Sequence, residues 1–82
     1  MAQIFYYGEL RDLVQKSDEF IDVKTIQDVL QHIEKAYGKQ AKKQAKSSLI
    51  TINTFNILKM KGYQTSVTPD DKVCFFPVCG GG

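Results

Sequence analysis

One apolar stripe limits what this chain can become. Ile26, Val29, Leu30, Ile33 and Tyr37 recur at three- and four-residue steps, so residues 25–37 predict an amphipathic helix with one dry face. Thr25 stands at the N-cap, Asp28 three residues later gives a weaker form of the capping box, and Gly38 sits where a helix-ending glycine belongs. No other part of the 82 residues shows so clear a period. Such a stripe must lie on something, and the flanking segments read as short strands. The order β-β-α-β-β-β predicts an α+β domain with one main helix on one face of a small mixed sheet.

The strands follow from composition and alternation. Gln3–Tyr7 is aromatic and β-branched, with four apolar residues in a row from Ile4 to Tyr7, which suggests a central strand dry on both faces. Gly8 breaks it, and Glu9 to Val14 predicts a short helical turn with Leu10, Leu13 and Val14 on one side. Glu19–Val23 reads as a second strand. Leu49–Asn53 reads as a third, with Ile50 and Ile52 sharing a face, and Asn56–Lys61 as a short fourth ended by Gly62. Pro69-Asp70-Asp71 signals a tight turn into a last strand over Lys72–Val78. Val73 and Phe75 fall on one face of that strand, Cys74, Phe76 and Val78 on the other. With one helix covering one face, Phe5 or Tyr7 together with Phe76 should line the other. That patch either serves a partner or is closed by loops. Lys39–Lys46, KQAKKQAK, has almost no apolar face and reads as a solvated helix or loop, with a docking surface for an acidic or phosphate-rich partner as the alternative.

Several function classes are excluded. A balance of 11 basic and 9 acidic residues is too weak to argue for nucleic acid, and no aromatic residue interleaves the lysine run. No apolar run approaches membrane-spanning length. No basic-apolar leader opens the chain, and the two cysteines are few and close together, so a soluble cytoplasmic protein with reduced thiols is expected. Cys74, Cys79 and the lone His32 cannot supply four zinc ligands, and an extended strand would hold the two thiols about 15 Å apart. No metal site is expected. His32 falls between core positions of the helix and reads as a surface group or a cap over the core edge. Catalysis by this chain alone is not expected.

What remains is the end of the chain. Pro77 removes one ladder hydrogen bond, so regular pairing should fail there. Residues 1–77 then form the folded domain, and 78–82 a flexible tail ending in Gly80-Gly81-Gly82. A glycine arm can thread a narrow channel, and from Pro77 to Gly82 it spans roughly 20 Å. The terminal carboxylate of Gly82 is the candidate working group.

The aromatic first strand followed by GELRDL, the helix ending in Tyr37-Gly38, the strand ending in Asn53, the Pro69-Asp70-Asp71 turn and the ending VCFFPVCGGG together resemble the β-grasp, ubiquitin-like sulfur carriers. Within these the chain is most similar to the small subunit of molybdopterin synthase (MoaD-like). The thiamine-pathway carriers (ThiS-like) usually lack the LRDL insert. Two departures stand out: one proline, Pro77, where that family commonly has two, and a third glycine before the final pair.

The resemblance implies that Gly82 is adenylated and then thiocarboxylated, with Gly80 and Gly81 threading the tail into the partner. Cys79, three residues away, is either close enough to be oxidised together with that thiocarboxylate to an acyl disulfide or a neutral small residue. Tyr7, Phe76 and Arg11 would lie at the interface, Arg11 being equally suited to a local ion pair with Glu9 or Asp12. The chain would bind no cofactor, since ATP and magnesium serve the activating partner. The implied partners are an adenylating enzyme of the ubiquitin-activating type, a sulfur donor such as a cysteine desulfurase, and the large molybdopterin synthase subunit (MoaE-like). The implied product is molybdopterin, made from a cyclic pyranopterin precursor. Another carrier route (thiamine, tRNA thiolation or protein conjugation) and a small binding module with an incidental glycine end are the alternatives.

Overall fold

The computed structural model describes residues 1–78. Five strands form one mixed sheet: β1 (Ala2–Tyr6), β2 (Asp18–Ile21), β3 (Leu49–Ile52), β4 (Phe55–Asn56) and β5 (Lys72–Phe76). Their spatial order is β2-β1-β5-β3-β4. β1 runs parallel to β5 at the centre, and the other pairs are antiparallel. β1 is thus an interior strand, as its run of apolar residues predicts.

Alternation along the central strands separates two faces. Ala2, Ile4 and Tyr6 of β1, Val73 and Phe75 of β5, and Ile50 and Ile52 of β3 are buried on one face. Onto it pack Ile26, Val29, Leu30 and Ile33 of α2 (Ile26–Tyr37), each at most 1% exposed. Burying an Ile, Leu or Val side chain is worth about 1.5–3 kcal/mol, so this seam dominates the stability of so small a domain. The capping box of α2 is complete: Thr25 Oγ1 accepts from the Asp28 amide at 3.2 Å, and an Asp28 carboxylate oxygen accepts from the Thr25 amide at 3.2 Å.

Two further helices join the expected main one, and the packing of the second corrects the reading of Lys39–Lys46 as solvated. Gly8–Val14 is a full helix, α1, with Leu10 and Val14 buried while Leu13 remains exposed. Lys39–Lys46 is also a helix, α3, packed against α1 and α2. Its dry face consists of Ala41 and Ala45, four residues apart and at most 1% exposed. Two methyl groups suffice because their small size lets the backbone of α3 approach closely. Gly38, between α2 and α3, has φ +102, a conformation that an L side chain resists.

The expected fourth strand over Asn56–Lys61 is a second correction. Pairing lasts for Phe55 and Asn56 only, and two 3₁₀ turns follow, at Ile57–Lys59 and Gly62–Gln64. The Asn56 side chain accepts from the Leu58 amide at 2.9 Å and so diverts the backbone from the ladder. β5 ends at Phe76, one residue before Pro77, as the missing amide of proline requires.

Candidate functional site at the root of the C-terminal tail

The parallel register places Tyr6 beside Phe75, so Tyr7, just past β1, and Phe76, the last residue of β5, come side by side at one end of the sheet. Their rings stack with centroids 4.9 Å apart and planes 8° from parallel. The Arg11 guanidinium lies over the Tyr7 ring at 5.4 Å, and its Nε donates to the Tyr6 carbonyl at 3.1 Å. Arg11 is therefore held by the exit of β1, and among the described residues it forms no ion pair with Glu9 or Asp12. Gly8 opens α1 with φ +63. A Cβ there would stand 3.0 Å from both Cβ and Cγ of Pro77, so the bare backbone of Gly8 is what lets Pro77 close against α1. The helix expected as a short turn over Glu9–Val14 thus seats the base of the tail.

Around this root the outer sheet face is open. Phe5, Cys74 and Phe76 are half-buried, Phe20 is 59% exposed, and Leu49, paired in register with Phe76, is also exposed. All three helices pack on the other face, and among the described residues no loop closes the aromatic patch. Tyr7, Arg11 and Phe76 therefore belong to one assembly. Cys79 and the Gly80, Gly81 and Gly82 assignments lie outside the described residues.

On the covered side the sequence conceals a polar cluster. Glu19 of β2 accepts hydrogen bonds from Tyr6 Oη at 2.6 Å and Tyr37 Oη at 2.8 Å, meets His32 Nε2 at 3.0 Å, and pairs with Lys16 Nζ at 3.4 Å. Burial works to raise its pKa, but the hydrogen bonds from Tyr6, Tyr37 and His32 outweigh it and bring the carboxyl down to about 2. Burial, then the bond to Glu19, pushes the Tyr6 hydroxyl well above its ordinary range, and Tyr37 rises for the same reasons. His32 thus takes part in a structural network at the core edge. A tyrosine on a buried strand face is the one available sequence signal for such a partner, because its hydroxyl needs an acceptor.

The surroundings of Cys74 favour the thiol over the thiolate. Burial raises its pKa, and neither its bond to Thr51 nor the charge of Lys72 reverses that. Among the described residues no three His, Cys, Asp or Glu side chains gather as a metal site, and no helix is long and apolar enough to cross a membrane. The constructed feature is the seat of the tail.

A mixed five-stranded sheet with parallel central strands and a capped helix across one face is the β-grasp, the ubiquitin-like fold. The ThiS family model matches residues 4–82, and the chain belongs to that family of β-grasp sulfur carriers. Solved structures share the architecture. The small archaeal modifier protein 1 of Methanosarcina acetivorans superposes with a TM-score of 0.83 at 20% identity, over 99% of this chain and 95% of that one. The Amycolatopsis orientalis BexX/CysO complex contains a chain with a TM-score of 0.84 at 12% identity, with both chains fully covered. A Pyrococcus furiosus protein provisionally described as molybdopterin converting factor, subunit 1, gives 0.76 at 17% identity, over 93% and 94% of the two chains. At these identities the likeness is one of fold. A comparison with curated proteins finds no match.

Proposed function

We propose that this chain is the sulfur-donating small subunit of a molybdopterin synthase, a carrier that is not catalytic alone. The observation that supports this most directly is the seat built from Gly8, Tyr7, Arg11, Phe76 and Pro77. One member, Arg11, lies in the LRDL insert that distinguishes the molybdopterin-type carriers in the family resemblance. A rigid root beside an open aromatic face suits a protein whose terminus enters one partner's active site while its sheet is held by that partner.

In this reading an oxygen of the Gly82 carboxylate attacks the α-phosphorus of ATP on an adenylating enzyme, and pyrophosphate leaves. The terminal sulfur of a cysteine persulfide, as a cysteine desulfurase provides it, then displaces AMP from the acyl carbon to give an acyl disulfide. A second thiol cleaves the S–S bond, leaving the thiocarboxylate on Gly82 and a disulfide on the donor. ATP and magnesium belong to the activating enzyme. Gly80 and Gly81 pass through the large subunit's channel, and Tyr7, Arg11 and Phe76 meet its surface. There the sulfur passes to a cyclic pyranopterin precursor. The cytoplasm, where ATP and reduced thiols are available, is the setting this chemistry needs.

The test combines two measurements. Intact mass after incubation with ATP, magnesium, an activating enzyme and a sulfur source should show sulfur replacing oxygen at Gly82. The thiolated product should then convert the pyranopterin precursor in the presence of a large synthase subunit. Thiolation without that conversion, or conversion only in a thiamine or tRNA-thiolation assay, would move the chain to another carrier route. That second reading is favoured by the ThiS match itself and by the likeness to an archaeal modifier protein.

A further inference from the structure

The lysines of α3 form a feature that the tail does not use. Lys39, Lys42, Lys43 and Lys46 are spaced i, i+3, i+4, i+7, so they share one face of the helix, opposite the buried Ala41 and Ala45. With Glu34 of α2 and Ser47 they line a shallow groove of about 430 Å³. From Lys35 to Pro69 the chain has seven lysines and no acidic residue, whereas the rest has four basic and nine acidic residues. The modest net charge conceals a strongly polarised molecule.

This arrangement opposes the helix that carries it. Like charges at i, i+4 destabilise a helix by about 0.2–0.5 kcal/mol per pair, and both Lys39–Lys43 and Lys42–Lys46 are such pairs. Lys39 also occupies the first turn, where the helix dipole disfavours a cation. Gly38 offers no side-chain cap there. The internal compensation is one ion pair, Lys42 Nζ to Glu34 Oε1 at 3.1 Å, which leaves Lys39, Lys43 and Lys46 exposed and without a carboxylate among the described residues.

We propose that this face of α3 docks an acidic segment of a protein partner, and that it can do so while the open sheet face is occupied. The stripe from Lys39 to Lys46 is about 10 Å long at 1.5 Å per residue, a span matched by about three residues of extended chain. It contains no arginine for bidentate phosphate recognition and no aromatic ring for base stacking, so an array of carboxylates suits it better than nucleic acid. α3 packs with α1 and α2 over the covered sheet face, away from Phe5, Phe20 and Phe76. The two surfaces point in different directions. This inference does not depend on which route the tail serves.

The probe is a fluorescein-labelled peptide of alternating Glu and Gly, titrated with the full chain near physiological ionic strength. The triple variant K39Q/K43Q/K46Q should bind about tenfold more weakly, as expected for three exposed charge pairs. K39R/K43R/K46R should retain binding. K59Q/K61Q/K72Q removes the same charge elsewhere and should change affinity by less than about twofold on the same scale. Phe76→Ser should leave peptide affinity unaltered. Circular dichroism checks that each variant folds, and glutamine and arginine both suit a helix. Equal losses in the two glutamine triples would overturn the proposal in favour of diffuse attraction. Tighter binding to duplex DNA or to phosphatidylserine vesicles at the same ionic strength would overturn it in favour of a phosphate ligand.

Discussion

Tyr7 and Phe76 stack 4.9 Å apart and 8° from parallel, and they join the residue that leaves β1 to the residue that ends β5. Because β1 and β5 are parallel neighbours, both chains exit at the same sheet end. The stack fixes where the tail begins, and both rings are only half-buried, so the same atoms remain available to a partner.

A double-mutant cycle tests that coupling. Tyr7→Ala and Phe76→Ala should each lower stability modestly, with an interaction energy of about 0.5–1.5 kcal/mol in urea unfolding. Under the function proposed above, the loss in affinity for a large synthase subunit should exceed the loss in stability, because interface aromatics carry disproportionate binding energy. Additive stability losses would show that the rings do not support each other.

Gly8 should be intolerant of a side chain. In Gly8→Ala the positive φ costs about 1–2 kcal/mol. The new methyl also meets Pro77 at 3.0 Å, so the tail root must shift. Urea unfolding should show the lost stability, and thiolation by the activating enzyme should slow. A variant of wild-type stability and unchanged thiolation rate would remove Gly8 from the seat.

Glu19 makes stability pH-dependent at both ends. Its carboxyl falls from 4.5 to about 2 on folding. The contribution is complete above the unfolded value and is lost as pH falls through the folded one, between about pH 5 and pH 2. Tyr6 and Tyr37 shift upward, so their contribution is present below their ordinary value of 10.0 and is lost as pH rises past it. Glu19→Gln should cost roughly 1–3 kcal/mol at neutral pH, since an amide cannot serve all the donors around it. It should also flatten the acid limb of a stability–pH profile. An unchanged acid limb would assign that loss to other carboxylates.

How much of this was legible depends on the kind of signal. The α2 stripe, the capping box and the alternation of Val73, Phe75 and Phe76 are local, and each predicted its element. α3 was obscured because alanine is a weak hydrophobic marker, and Ala41 and Ala45 are buried only because α1 and α2 lie beside them. The early end of β4 depends on one side-chain bond, Asn56 to the Leu58 amide. At the tail root, Tyr7 and Phe76 were readable as aromatics near a strand end. Their stacking needs the parallel pairing of β1 with β5, and Gly8 against Pro77 joins positions 69 apart in sequence. The Glu19 cluster draws on three elements, and no local pattern contains it.

The tight turn between β3 and β4 carries a strain that a substitution can relieve. Ile52 pairs with Phe55, so the loop is two residues, Asn53 and Thr54, with φ of 49° and 76°. Both positive values are what a type I′ hairpin turn requires, and Asn-Gly is its preferred pair. Asn53 suits its place: its Nδ2 donates to an Asp71 carboxylate oxygen at 2.7 Å, and its Oδ1 accepts from the Lys72 amide at 2.9 Å. Thr54 is β-branched, which makes a positive φ costly, on the order of 1–2 kcal/mol. Glycine removes that cost but gives the unfolded chain more freedom, a loss of about 0.5–1 kcal/mol. The difference favours Thr54→Gly by roughly 0.5–1 kcal/mol. Asn53→Gly should do the opposite, because it releases Asp71 and the Lys72 amide at the start of β5. Urea midpoints that rise for Thr54→Gly and fall for Asn53→Gly would bear this out, and a fall for both would show that Thr54 is not strained.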